Sequence, residues 1–511
     1  MKIKSTIVYA TIFTFLYFSV NMVLNSLWKF HQLHNDYWDL LFIAKNIQFG
    51  NPFSLANPCI PIGYTSLLSF VVKLGSEVTI PIILNLLFGS FTIFTALIFY
   101  QKAITLKNSV ISAVFLGIFP AFFFYSNQGG ADPGSVMFFT IGALLLLYCL
   151  YFNDNPKWLH FLSAGIFLGL GAIFRYHVLV GSGILIFTGL LLNIRQWKLL
   201  FVAGAGVALA YSPQIIVNIL TGHGVLETKL GASNIYDLMY GINWYRISTD
   251  QISTNALEII STNPFLFVKR YVVSFVKFFI QTGLIPTITF IFCKKTLHKQ
   301  LALYVSIFVT IYFIVFSSTL SGRQLLLPLP LTILCLGLLI EEYFTAIRSL
   351  GNKKRLVLKT CGVLSIIIVA LFFVMKDSKA VLRNINEYSL SKEVESFLVA
   401  KGVTNAQQTF TTDFDLYFRN LPNYTGYFNG GWSRWGTYKY NEAFPEFNVQ
   451  SIDTFLDDCK KHNIKFVILN DSADKLNSDL GKIFKGKLTN DKLLYIKTFQ
   501  RVKIYQVVNA H

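Results

Sequence analysis

The sequence predicts a polytopic α-helical membrane protein of about 11 transmembrane helices, followed by a small C-terminal α/β extracytoplasmic domain. Three observations carry this. Hydrophobic types make up 53% of the 511 residues and charged types only 14%, where a soluble domain carries about 25% charged residues. Apolar runs of about 20 residues, enough to cross a bilayer as a helix, recur from the N-terminus to about residue 375. From Lys376 the pattern changes to short alternating elements rich in charge.

The expected spans are 7–27, 78–100, 108–126, 134–152, 158–174, 177–194, 199–220, 271–293, 300–319, 324–343 and 356–375. The first follows Met1-Lys2-Ile3-Lys4 and stays apolar to Leu27. That exceeds the core of a signal peptide, about 7–15 residues, so it reads as an uncleaved span. Cytoplasmic loops collect Lys and Arg. With the N-terminus inside, the inside loops hold Lys102 and Lys107, Lys157, Arg195 and Lys198, Lys294, Lys295 and Lys299, and the run Arg348 to Lys359. Every strongly basic short loop then shares one side, and an odd number of spans places the C-terminal domain on the other. The same bias explains the net charge of +18 without nucleic acid, for which no basic-aromatic motif is present. The six cysteines show no C-x-x-C spacing, which argues against a zinc or redox motif. A disulfide between Cys59 and Cys459, the two outside the spans, stays open.

This divides the chain into a membrane domain, 1–375, and a soluble domain, 376–511. Two long outer loops interrupt the first, 28–77 and 221–268. The stretch Pro61 to Leu74 is apolar but about half a span in length, and reads as an amphipathic or re-entrant helix at the interface. The second loop is polar, with Asp237, Trp244, Tyr245 and Arg246. In the C-terminal domain, 391–402 and 450–463 have helical patterns, and 408–412, 465–469, 492–499 and 502–508 read as strands.

Four charged residues stand at the outer membrane face, where a membrane protein has least use for them. Asp36 lies among aromatics in His34-Asn35-Asp36-Tyr37-Trp38-Asp39. It reads either as a carboxylate fit to act as a base or as a solvated loop acid. Asp132 precedes Pro133 at a helix start and reads as an N-cap, or as a group that orients a substrate or holds a divalent cation through oxygen. Arg175, in Phe174-Arg175-Tyr176-His177, and Arg323, in Ser321-Gly322-Arg323-Gln324, oppose the charge bias of the other loops. An arginine at that depth needs an anionic partner: a lipid headgroup on the bland reading, the phosphate of a bound lipid substrate on the sharper one.

The order Asp36-Tyr37-Trp38-Asp39, Ala44, Gly50, Pro61-Ile62-Gly63-Tyr64 resembles the first outer loop of the GT-C superfamily of membrane glycosyltransferases. That superfamily includes protein O-mannosyltransferases and aminoarabinose transferases. Residues 127–180, with Asp132 and a Gly-rich span ending in Arg175, are similar too, as is Arg323-Gln324-Leu325-Leu326-Leu327-Pro328 to a late Arg-Tyr-Leu-Leu-Pro segment. Two positions depart: Tyr37 follows Asp36 where the family often has Glu, and Gln324 replaces Tyr.

The resemblance implies a polyprenyl-phosphate sugar donor lying in the bilayer, and a lipid, glycan or protein acceptor at the outer face of the cell membrane. Asp36 would be the base and Asp132 its catalytic companion. Asp39, Tyr64, Arg175, His177 and Arg323 would bind substrate, and a divalent cation at Asp132 is left open. Two rivals are a lipid or sugar transporter or flippase, disfavoured because no inverted repeat or midplane charge is found, and a polymerase or ligase of lipid-linked glycans with another fold. A third is a non-catalytic assembly protein in which Asp36 and Asp132 share no cavity.

Overall fold

The computed structural model describes residues 2–28, 35–55, 60–225, 235–236, 238–240, 255–317, 323–348, 350–413, 415–428, 447–474 and 478–508. They form two compact units, Met1–Lys229 with Asn263–Val381, and Leu230–Thr262 with Leu382–His511. Asp237, Trp244, Tyr245, Arg246 and Cys59 lie outside the described residues.

The helices run α1 (Lys2–Trp28), α2 (Asn35–Asn46), α3 (Ile62–Val71), α4 (Thr79–Ala103), α5 (Leu106–Gly117), α6 (Pro120–Ser126), α7 (Asp132–Tyr151), α8 (Trp158–Phe174), α9 (Tyr176–Leu192), α10 (Trp197–Leu220), α11 (Ala256–Thr262), α12 (Pro264–Phe278), α13 (Leu284–Phe292), α14 (Thr296–Phe316), α15 (Leu329–Arg348) and α16 (Asn352–Ala400). Among the described residues eight helical segments are long and apolar enough to cross a membrane, and the bent pair α5–α6 makes a ninth. Helices α8 and α9 have 17 residues each, the lower end of the spanning range of about 17–25. Each expected span falls on one of these segments, and the chain is a multi-pass membrane protein.

Three spans differ from expectation in ways the backbone explains. The run 108–126 bends by 64° between α5 and α6, where Pro120 at the start of α6 has no N–H with which to continue the helix. The run 271–293 begins earlier, at Pro264 behind an Asn263 cap whose side chain accepts from the Leu266 N–H. It carries a π turn at Phe279–Gly283 before α13, a local form that proteins use where a helix is re-aimed. The span 356–375 and the helix 391–402 are one continuous helix, α16, because no Gly or Pro interrupts residues 376–390.

Helix α8 packs between α7 and α10 through small residues. A Cβ on Gly165 would stand 1.9 Å from the Ala203 carbonyl oxygen, so only glycine allows that approach, the usual device for closely packed helices in lipid. The segment 62–71, expected at the interface, is helical as α3. It buries Ile62, Tyr64, Thr65, Leu68 and Ser69, an apolar and hydroxyl face rather than a charged one.

The second unit holds a five-stranded mixed sheet in the order β2-β1-β3-β5-β4, with β1 (Thr409–Thr411), β2 (Tyr427–Phe428), β3 (Phe466–Leu469), β4 (Leu493–Phe499) and β5 (Val502–Val507). The four strands read from sequence are present, and β2 is the one missed, being two residues long. Strand β3 pairs parallel with β1 and antiparallel with β5, and it is buried on both faces, as an unbroken apolar run requires. Val467 and Leu469 pack with Phe410, Phe447 and Phe455. Phe466 and Ile468 pack with Leu390, Val394 and Leu398 of α16. Phe455 belongs to helix Ile452–Lys461, which also buries Cys459; the disulfide left open between it and Cys59 involves a residue outside the described ones.

A charge network stitches this unit. Arg501, in the β4–β5 turn, donates to Asp413 from Nε at 2.8 Å and Nη2 at 3.0 Å, and from Nη1 to Glu387 of α16. Burial works against the guanidinium charge, but the bonds to Glu387 and Asp413 outweigh it and hold Arg501 above its ordinary range. Asp415 is pushed up by burial and then by Asp413 and Glu387, while Arg383 and Arg501 oppose.

Arg501→Met strands nearly buried carboxylates. With the arginine itself about a third exposed, the loss should be about 3 kcal/mol, the low end for breaking a buried pair. An acid whose folded pKa exceeds its unfolded value lowers stability above that folded value and regains it as pH falls through it. Removing one of the two cations that restrain Asp415 should therefore make the deficit largest near neutral pH and smaller on mild acidification. Thermal melts of the variant and the parent across that window check both the size and the sign.

Candidate active site

Helices α3, α6, α7, α8 and α9 bring together at one end of the first unit most of the charged residues singled out from sequence. Asp132 opens α7. It does not cap the helix as the bland reading expected: Ala131 precedes the first turn and no side chain caps it. The carboxylate instead accepts a hydrogen bond from Arg175 Nη2 at 2.9 Å, with Asp132 and Arg175 about 8% and 20% exposed. Arg175 occupies the extended residue between α8 and α9, a break that turns its side chain out of both helices. Arg323 and His177 lie within electrostatic reach of Asp132, and the His177 ring stands edge-on to Phe316 at 6.3 Å. Tyr64 of α3 is fully buried, packs edge-on to Phe174 at 6.1 Å, and also feels Asp132 and Arg175.

The Pro61-Ile62-Gly63-Tyr64 stretch has a clear local role. A Cβ on Gly63 would come within 2.6 Å of Ile173 Cγ2 and 2.9 Å of its carbonyl oxygen. Glycine there lets α3 sit against the end of α8, beside Arg175. The start of α3 is fixed by Gln214 of α10, whose Oε1 accepts from the Ile62 N–H at 2.9 Å and whose Nε2 donates to Asn218 at 2.9 Å.

A small cleft opens here, lined by Tyr125, Gln128, Gly129, Gly130, Asp132, Pro133 and Arg175. Arg323 lies within electrostatic reach of Tyr125 as well as of Asp132, which brings the second arginine close to the same place. The turn 127–131 is pinned by asparagines inside the apolar spans. Asn25 donates to Asn127 Oδ1 at 2.6 Å, Asn127 donates to Asn21 Oδ1 at 2.8 Å, and Asn85 donates to the Gly130 carbonyl at 2.9 Å. Buried amides are as a rule paired, and most costly to leave unpaired within a membrane.

Sequence reasoning missed Tyr125, Gln128 and the asparagines. Their signal was present: Asn21 and Asn25 are four apart on one face of an otherwise apolar span, and Asn85 interrupts another. Gln128 is 3% exposed, and neither end of its carboxamide has a hydrogen-bond partner among the described residues.

Asp36 and Asp39 both fall on α2, three residues apart and so on one side of the helix; their side chains lie outside the described residues. Between them Tyr37 is fully buried, its hydroxyl donating to the Glu77 carbonyl, which moors α2. A divalent cation at Asp132 fits poorly. One carboxylate oxygen already serves Arg175, and among the described residues Asp132 joins no cluster of three metal-ligating side chains.

No family model matches the chain, and no curated protein matches it by sequence. Solved structures do. ArnT from Cupriavidus metallidurans bound to undecaprenyl phosphate is 12% identical, with a TM-score of 0.56 over 97% of this chain and 98% of that one. The Archaeoglobus fulgidus oligosaccharyltransferase in complex with Zn and sulfate is 12% identical, with a TM-score of 0.55 over 97% and 73%. The same organism's AglB with an inhibitory peptide and a dolichol-phosphate is 11% identical, with a TM-score of 0.54 over 98% and 74%. At such identities the likeness is one of fold, and it spans both units of the chain: this protein has the GT-C fold of the membrane glycosyltransferases.

Proposed function

We propose that this chain is a membrane glycosyltransferase that moves a sugar from a polyprenyl-phosphate donor to an acceptor hydroxyl at the outer face of the cell membrane, with inversion. The observation that carries the reading is the meeting of two arginines with Asp132 beside one cleft, Arg175 paired with its carboxylate and Arg323 within electrostatic reach of it. Undecaprenyl phosphate in one structural neighbour and dolichol-phosphate in another support the donor class. The basic loops support a cytoplasmic N-terminus and an extracytoplasmic C-terminal domain.

In the proposed reaction the acceptor oxygen attacks the anomeric carbon, the bond from that carbon to the phosphate oxygen breaks, and the electron pair leaves with the polyprenyl phosphate. The acceptor's proton passes to Asp36, with Asp39 in support. Arg175 and Arg323 stabilise the charge on the leaving phosphate, a contribution that preformed groups in a dry site make large. Asp132 holds Arg175 in its orientation, His177 and Tyr64 close the wall behind it, and no step passes through a metal.

Asp36→Asn retains shape and most hydrogen bonding but accepts no proton. Turnover should fall by about 10²–10⁴, the usual worth of a general base, with membrane insertion and binding of lipid phosphate kept. Arg323→Ala should cost about tenfold to a hundredfold in donor use, one charge-assisted contact, and Lys should recover it only in part because it lacks the planar fork. Arg175→Ala should also lower thermal stability, since it strands Asp132. Full activity of both arginine variants in membranes supplied with lipid-linked sugar would end the phosphate-site assignment.

Gln128 supplies an independent test. An unpaired buried amide costs about 1–3 kcal/mol, and a pair of sugar hydroxyls offers both the donor and the acceptor it lacks. Gln128→Leu should leave the melting temperature equal or higher while lowering kcat/KM for the donor by about tenfold or more. A lower melting temperature with unchanged kcat/KM would make Gln128 structural.

A further inference from the structure

Where α13, α14 and α15 meet, three side chains of different chemistry come together in the interior. Cys293 ends α13, His298 lies in the first turn of α14, and Glu342 is in the last third of α15. All three are buried. Cys293 Sγ, a His298 ring nitrogen and a Glu342 carboxylate oxygen lie within 4.8 Å of one another. His298 Nδ1 is 2.8 Å from Glu342 Oε1, and His298 Nε2 is 3.0 Å from the carbonyl oxygen of Ala103, the last residue of α4.

The proton inventory narrows what this cluster is for. A carbonyl oxygen only accepts, so Nε2 carries a proton. In a neutral ring Nδ1 then presents a lone pair. The backbone N–H groups of Lys294 and Lys295, ahead of α14, point at the Glu342 oxygens at 3.5 and 3.4 Å. Nδ1 and the Glu342 oxygen, 2.8 Å apart, share a cation between them, either a proton or a metal ion. The third donor decides between these. A proton bridge between His298 and Glu342 has no use for a sulfur, yet the Cys293 thiol closes the same triangle.

We propose that Cys293, His298 and Glu342 form a metal site for Zn²⁺ or a chemically similar borderline divalent ion. The mixed S, N and O donor set is one that zinc takes. Around a tetrahedral zinc the donors stand about 3–4 Å apart; His298 and Glu342 are 2.8 Å apart and all three donors lie within 4.8 Å of one another, so small side-chain movements complete the site. The outer shell is already in place: the second ring nitrogen of His298 donates to the Ala103 carbonyl, the arrangement that fixes a ligating histidine's tautomer. Thiolate and carboxylate together neutralise the ion, which suits a buried position. Glu341, the adjacent acid, is occupied elsewhere by Thr105 Oγ1 at 2.7 Å and is no ligand. Three protein donors leave a fourth position for water. The bound ion would tie the α13–α14 turn to α15 and, through His298, to α4.

The test uses the full chain purified in detergent without chelator. Elemental analysis should give about one zinc per chain, and X-ray absorption at the zinc edge should show mixed sulfur and nitrogen or oxygen ligation. Protein loaded with Co²⁺ should show a thiolate-to-cobalt charge-transfer band with the intense visible bands of a tetrahedral ion. Cys293→Ser should abolish the charge-transfer band, and Glu342→Gln and His298→Gln should weaken metal binding by about 10–100-fold. Cys149→Ala, at a buried cysteine on α7, should change none of these. Metal-free protein that takes up no cobalt would overturn the site and leave a proton-bridged His298–Glu342 pair. An absorption spectrum of the parent protein without sulfur ligation would do the same, whether or not the variants fold.

Discussion

In hydrocarbon, a polar side chain that meets another polar group of the protein avoids a cost of several kcal/mol. That constraint organises the cleft end of the membrane unit. The turn 127–131 carries no hydrophobic anchor of its own, yet it leads directly into Asp132. It is held because Asn127 meets Asn21 and Asn25 of α1 while Asn85 of α4 takes its carbonyls. On the other side, Gln214 of α10 holds the start of α3, and Gly63 lets that helix close on the end of α8. The Asp132–Arg175 pair therefore joins elements that are each fixed by an amide a span away. The charged groups are few, and the neutral amides that position them are more numerous.

Much of this could be read from the chain before any coordinates. Span lengths and the placement of Lys and Arg follow from the cost of burying charge in lipid, so the helices fall where the apolar runs stand. The sheet followed from alternation and from the apolar run at 465–469. What escaped were features set by backbone geometry: the bend at Pro120, the π turn at Phe279–Gly283, and the continuity of α16 through a polar stretch. Hydropathy averages over such details, and a helix that leaves the membrane keeps its hydrogen bonds while its side chains change character.

The charged cluster was legible by a different route. Arg175 and Arg323 stood out because they break the charge asymmetry of the loops; Arg175 pairs with Asp132 and Arg323 lies within electrostatic reach of it. Asp132 itself was half misread, since Asp-Pro at a helix start has a local explanation in capping that the long-range partner overrides. Gln128 and Tyr125 were not singled out, because an amide or a phenol in a loop is ordinary. Only burial without a partner distinguishes Gln128, and burial is a property of the fold.

The two arginines reach the cluster from different parts of the chain. Arg175 stands at the single extended residue between α8 and α9, and its pairing with the buried Asp132 sets its position before any ligand arrives. Arg323 lies within electrostatic reach of the same carboxylate. Of these three side chains two are cationic and one is anionic, a balance that favours an incoming anion. In the proposed reaction a leaving phosphate gains charge only as the bond to the sugar breaks. Stabilisation that increases along the reaction is what accelerates it, whereas uniform binding does not. Groups held in place by their own pairing, as Arg175 is by Asp132, can meet that growing charge without first having to reorganise.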